Sequence, residues 1–159
     1  MLTEKEIGYF ALTHIVATWS EDPRKQVGAV IVSGQQMITG YNCLPTGIKR
    51  GEENCRLNVR ELKLKYIEHA ERNAIYAAAN SGFKLKDSTM YCNWFPCSDC
   101  AKGIIQSGIK TLVTTKPDEN SRWYAEMIIA ETMFKEANVE LKYIEEEDAK
   151  SGFNFKNNS

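Results

Sequence analysis

The chain has 159 residues, 43% of them hydrophobic and 26% charged, with a formal net charge of −1 at pH 7. That is the size and balance of one globular domain with a core of its own. The near-neutral charge argues against a protein that wraps a nucleic-acid polymer, whose affinity rests on a basic excess. No apolar run approaches the length of a membrane span.

Thr3-Glu4-Lys5-Glu6 reads as a capping box, so a helix should follow and run to about Ala17-Thr18, where Asp22-Pro23 breaks the chain. The N-terminus shows no signal-peptide pattern, and a cytoplasmic location is expected by default. Val27-Gly28-Ala29-Val30-Ile31-Val32 is a compact, partly β-branched run and predicts a strand. Ser33-Gly34-Gln35 turns the chain, and residues 37–41 return as its hairpin partner. Residues 45–65 are polar and charged and read as a long loop with a short helical piece; such loops inside compact domains are often functional. A helix is expected over 68–80, stopped by Ser81-Gly82. Residues 89–93 form a third strand, and Pro96 opens a helix that ends at Ser107-Gly108. A fourth strand covers 110–115, a helix 122–137 with Asn138 as its stop, and a fifth strand 139–144. The order α-β-β-α-β-α-β-α-β alternates from the third strand on. Strands three, four and five should therefore be parallel, joined by right-handed crossovers. The expected fold is α/β: a three-layer α-β-α sandwich around a mixed five-stranded sheet. The domain should fill residues 1–145, with a polar tail over 146–159.

The five cysteines are Cys43, Cys55, Cys92, Cys97 and Cys100. An odd count without a secretion signal speaks against a disulfide framework. Two segments at predicted helix starts draw attention: His69-Ala70-Glu71 and Pro96-Cys97-Ser98-Asp99-Cys100. His-x-Glu followed by Pro-Cys-x-x-Cys is the signature of the zinc deaminases that act on nucleobases. Cys97 and Cys100, three apart at a helix start, can aim both sulfurs at one point, and His69 adds a nitrogen. Three protein ligands leave the fourth place of a zinc tetrahedron open, as catalytic rather than structural sites do. One Zn2+ per chain is expected. It would lower the pKa of a bound water toward neutral. Glu71, two residues past the ligand, would take the water proton, protonate the ring nitrogen and help expel ammonia.

Blander readings fare worse. A redox Cys-x-x-Cys pair normally stands without a His-x-Glu partner, and a zinc ribbon needs a second Cys-x-x-Cys, which is missing. His14 reads as a partly buried helix residue and Cys92 as core. Cys43 and Cys55 could be half of a second metal site, but loop cysteines with no histidine nearby argue against it. Trp94 and Phe95 could simply fill the core, yet their place beside the metal motif suggests a pocket wall for a planar base.

Beyond the zinc motif, the chain carries Asp22-Pro23, Gln26 to Val32, Gly40-Tyr41-Asn42, Asn73-Ala74-Ile75, Phe95-Pro96-Cys97, Cys100-Ala101-Lys102 and Ile105 to Lys110. Together these resemble the deoxycytidylate deaminase family of the cytidine deaminase superfamily, over nearly the whole chain to about Ile144. The resemblance implies hydrolytic deamination of dCMP to dUMP, with zinc on His69, Cys97 and Cys100 and proton transfer by Glu71. It implies a sugar contact at Asn42 and base contacts from the Ala70 backbone amide and the Phe95 carbonyl. It also implies a homo-oligomer, with dCTP and dTTP as effectors. The chain departs from the family at Cys43, where glycine is frequent in a loop linked to effectors. It departs again at Arg72, where leucine is frequent and a guanidinium is expected to make a surface or subunit contact. The competing readings are a deaminase of another base (free cytosine, guanine or a tRNA adenosine) and a non-catalytic, zinc-stabilised binding protein. For a monophosphate substrate a cation is needed. Arg24 and Lys25, just before the first strand, are the leading candidates, with Lys49, Arg50, Arg56 and Arg60 in the long loop behind them.

Overall fold

A computed structural model describes residues 2–50, 56–145 and 148. Cys55 and, apart from Asp148, the expected tail from 146 lie outside the described residues. The elements follow the expected order: α1 (Glu4–Ala17), β1 (Gly28–Ser33), β2 (Gln36–Tyr41), α2 (Arg60–Tyr66), α3 (Ala70–Ser81), β3 (Thr89–Cys92), α4 (Ser98–Gln106), β4 (Thr111–Thr114), α5 (Tyr124–Glu136) and β5 (Glu140–Tyr143). The Thr3 capping box forms, with the Glu6 amide donating to Thr3 Oγ1 and Glu6 Oε2 accepting the Thr3 amide. Gly82 and Asn138 take positive φ at the ends of α3 and α5, as their places after each helix suggest. The helix expected to open at Pro96 starts two residues later, because Cys97 is its N-cap. Among the described residues no helix is long and apolar enough to cross a membrane.

The sheet order is β2-β1-β3-β4-β5. The hairpin β1–β2 is antiparallel, β1 also pairs β3 antiparallel, and β3–β4 and β4–β5 are parallel. Side chains alternate faces along each strand, and the two faces receive different cover. Ala29, Ile31, Met90, Cys92 and Leu112 pack with Ala70, Ala74, Ala101, Ile104, Met127 and Phe134 of α3, α4 and α5. Val30, Tyr91 and Val113 turn the other way, against Phe10 and Val16 of α1. This is the three-layer sandwich, with three helices on one face and one on the other.

Close packing is built in by glycine at two strand positions. A Cβ at Gly28 would lie 2.1 Å from the Thr13 carbonyl oxygen of α1, and one at Gly40 would lie 2.3 Å from both the Ala70 oxygen and the Ala74 nitrogen of α3. Neither clash involves a side chain that could move aside. The first turns of α3 are therefore pressed onto β2, and Asn73 ties them there by donating from Nδ2 to the Tyr41 carbonyl at 2.8 Å. Gly40→Ala should cost about 1–3 kcal/mol of stability, and each kcal/mol should lower Tm by about 2–4 °C in a domain of this size. Calorimetry checks this; an unchanged Tm would mean that the α3–β2 approach is not tight.

Candidate active site

His69 is the N-cap residue of α3 and Cys97 that of α4. Neither side chain caps its own helix, which leaves the imidazole and the thiol to face each other across the gap between the two helix starts. Cys100 follows one turn into α4. His69 Nδ1 lies 3.5 Å from the Cys97 sulfur and 3.5 Å from the Cys100 sulfur. The three donor atoms all fall within 4.8 Å of one another, a group able to hold one metal ion.

Charge at this point is unevenly shared. The Cys97 thiol is held down to about 4, first by the hydrogen bond with Cys100 and then by His69. The same bond, with burial, pushes the Cys100 thiol well up. The bond with Cys97 raises the His69 pKa. Three soft or borderline donors thus compete for the same protons at two converging helix N-termini, where the dipoles favour thiolate. A cation at their centre satisfies all three. The donors number three and leave a tetrahedral place open, so the residues present fit a catalytic zinc ion.

Glu71, in the first turn of α3, is buried, with 4% of its surface exposed. Burial raises its pKa. Cys92, at 0% exposure, is core as expected, and His14 packs edge-on to Phe10, which belongs to the core on the other face of the sheet. Among the described residues no metal-ligand group involves Cys43, whose sulfur instead accepts from Asn73 Nδ2 at 3.4 Å.

A cavity of about 480 Å³ opens onto the donor group, a size suited to a small ligand. It is lined by His69, Ala70, Glu71, Asn42, Trp94 and Phe95, among others. The Phe95 ring itself is buried against Phe134 and Tyr143 at centroid distances of 6.3 and 6.4 Å. Trp94 is the more exposed of the two aromatics and carries the Lys25 ammonium 3.2 Å from its ring centroid. The Asn42 amide works on the chain around it: Oδ1 accepts from the Val27 amide at 2.8 Å and from Ser20 Oγ at 2.6 Å, and Nδ2 donates to the Lys25 carbonyl at 2.8 Å.

Of the six cations read from the sequence, Lys25 alone lines the cavity. Arg24 does not; Arg50 is committed to Glu21 and the Leu44 carbonyl, and Arg56 lies over the Tyr66 ring at 4.4 Å. Three wall cations lay outside that set. Arg122 stands 5.4 Å from the Trp123 ring centroid at the start of α5. Lys63 is buried in an ion pair with Asp22. Arg72 is a half-buried wall residue whose Nε and Nη2 reach Glu68 at 2.6 and 2.5 Å. Its position three residues after His69 turns it back over the start of α3, which the periodicity alone could have shown.

Residues 3–116 match the family described as cytidine and deoxycytidylate deaminase zinc-binding region. A deaminase from the luxG 3′ region of Aliivibrio fischeri is 33% identical over 139 residues, which cover 86% of this chain and 90% of that protein. Human deoxycytidylate deaminase is 38% identical over 110 residues, and there the match spans 66% of this chain and 61% of the human protein. The crystal structure of cyanophage S-TIM5 dCMP deaminase in complex with dCMP and dUMP superimposes with a TM-score of 0.70 at 24% identity, covering 91% of this chain and 99% of that one. That likeness carries the fold. Removing both sulfurs, as in Cys97→Ala with Cys100→Ala, should abolish stoichiometric zinc. Elemental analysis of the purified protein checks it, and wild-type zinc content in the double variant would refute the ligand set.

Proposed function

The chain belongs to the cytidine and deoxycytidylate deaminase zinc-binding family, and from that premise we propose that it hydrolyses dCMP to dUMP and ammonia. The observation that carries the reading is the buried carboxyl of Glu71 beside a three-donor metal group with an open fourth place. A structural metal site closes its tetrahedron with a fourth ligand and has no use for an acid at its side.

His69, Cys97 and Cys100 would hold a zinc ion, whose Lewis acidity would let water act as a nucleophile near neutral pH. Glu71 removes a proton from that water as its oxygen attacks C4 of the cytosine ring. The carboxyl then delivers the proton to ring N3. A second transfer through Glu71, from the attacking oxygen to the 4-amino group, lets the C4–N bond break and ammonia leave. One water is consumed, and the carboxylate returns to its starting state. Ala70 and Phe95 line the same cavity, and the Ala70 amide and the Phe95 carbonyl are assigned to the edge of the base. Trp94 supplies a flat wall, and Asn42 is assigned to the sugar, with part of its amide already engaged in holding residues 25–27.

The phosphate is assigned to Lys25 and Arg122. Arg72 and Lys63 are matched by Glu68 and Asp22, whereas among the described residues Lys25 and Arg122 each lie over a tryptophan ring without an ion pair. A dianion entering the cavity meets these two cations without having to break an existing bridge. The reading includes a homo-oligomer, supported by the exposed apolar side chains Ile15, Trp19, Met37 and Tyr76. It places the enzyme in the cytoplasm, in nucleotide metabolism.

Glu71→Ala should fold, keep its zinc and lose at least about 10²-fold in turnover. Ammonia release from dCMP, measured beside zinc content, checks it. More than a tenth of wild-type turnover in a zinc-loaded variant would remove Glu71 from the proton path.

A further inference from the structure

Helix α2 has seven residues, too few to persist on helical propensity, and its seat is unusual. Its one buried residue is Lys63. Val59 just before it, and Leu62, Leu64 and Tyr66 within it, stand exposed. No apolar side chain within the helix is buried. Its buried contact is a salt bridge: Lys63 Nζ donates to Asp22 Oδ2 at 2.7 Å and to Oδ1 at 3.0 Å, with both side chains almost wholly covered.

Asp22 is engaged elsewhere as well. Its Oδ1 accepts the backbone amides of Arg24 at 2.8 Å and Lys25 at 3.1 Å. The carbonyl of Lys25 accepts from Asn42 Nδ2. The backbone of Lys25 is thus gripped on both sides, and its ammonium comes to rest over Trp94 at the cavity wall. A buried carboxylate can keep this grip only while its charge is matched, since an unpaired buried charge draws in water or a proton and gives up its geometry.

We propose that Lys63 is a positioning residue for recognition of the substrate's charged end. By matching Asp22 it fixes the 22–25 turn, and through that turn it sets Lys25 over Trp94. The proposal rests on the nucleotide reading for what Lys25 receives, but not for how Lys25 is held.

The test compares Lys63→Met, Lys63→Arg and Lys25→Ala with the double variant Lys63→Met, Lys25→Ala. The first readout needs no substrate. In the wild type the Trp94 ring current should shift the Lys25 ε-methylene protons upfield in NMR spectra; Lys63→Met should lose that shift and Lys63→Arg should keep it. The second readout is steady-state kinetics. Lys63→Met should raise KM for dCMP about tenfold, with a smaller change in kcat. Lys63→Arg should restore most of it, and the double variant should be no worse than Lys25→Ala alone. An upfield shift that survives in Lys63→Met overturns the proposal, whatever the substrate. So do additive losses in the double variant, or a fall in kcat with KM unmoved. If Lys63→Met does not fold, Lys63→Gln takes its place under the same criteria. Should the wild type fail to turn over dCMP while the NMR shift behaves as expected, the nucleotide reading fails and the positioning role of Lys63 stands.

Discussion

A histidine nitrogen and two cysteine sulfurs can share one metal ion only if the first turns of two helices meet, and this requirement reaches through the whole structure. Helix α4 is delivered by β3, which ends at Cys92, a few residues before Cys97. Helix α3 comes from the opposite direction, off the loop after β2. Its height is set by Gly40, where any Cβ would strike its backbone, and by Asn73, which bonds the end of β2. The helix N-termini then add what side chains cannot: unpaired backbone N–H groups and a dipole that favours anionic sulfur. The Glu71 carboxyl is carried into the same space by the first turn of α3. It is buried because the helix that bears it is pressed onto the sheet.

Around that centre the cavity sorts its cations by pairing. Arg72 is spent on Glu68 and reaches toward Asp99; Lys63 is spent on Asp22. Both matched pairs shape the wall. Lys25 and Arg122 lie instead over tryptophan faces, at 3.2 and 5.4 Å from the ring centroids. The wall thus carries two cations outside any ion pair among the described residues, on a molecule whose overall charge is −1.

The element order, the capping box at Thr3 and the helix stops at Gly82 and Asn138 were legible in the sequence because each rests on local backbone chemistry. The metal group was legible too, since His-x-Glu and Cys-x-x-Cys fix ligand geometry at short range. The antiparallel pairing of β1 with β3, which completes the sheet, is a long-range choice that no local pattern encodes. The same limit hid Lys63, which read as one more charge in a polar loop; only the fold brings it to Asp22, 41 residues away. Arg122 was hidden likewise, since nothing at the start of a surface helix says that it lines a cavity opened far earlier in the chain. The Arg72–Glu68 pair was within reach of the sequence, since the two stand four residues apart.

In the proposed reading, one zinc centre and one proton-shuttling carboxyl serve a cytosine nucleotide. The most direct measurement is a panel of dCMP, CMP, deoxycytidine, cytosine and guanine, followed by ultraviolet absorbance and ammonia release with and without a chelator. Among these, dCMP should give the highest kcat/KM, with all turnover lost when zinc is stripped and recovered when it is restored. Faster turnover of guanine or free cytosine, or no ammonia from any of the five by the zinc-loaded protein, would contradict it.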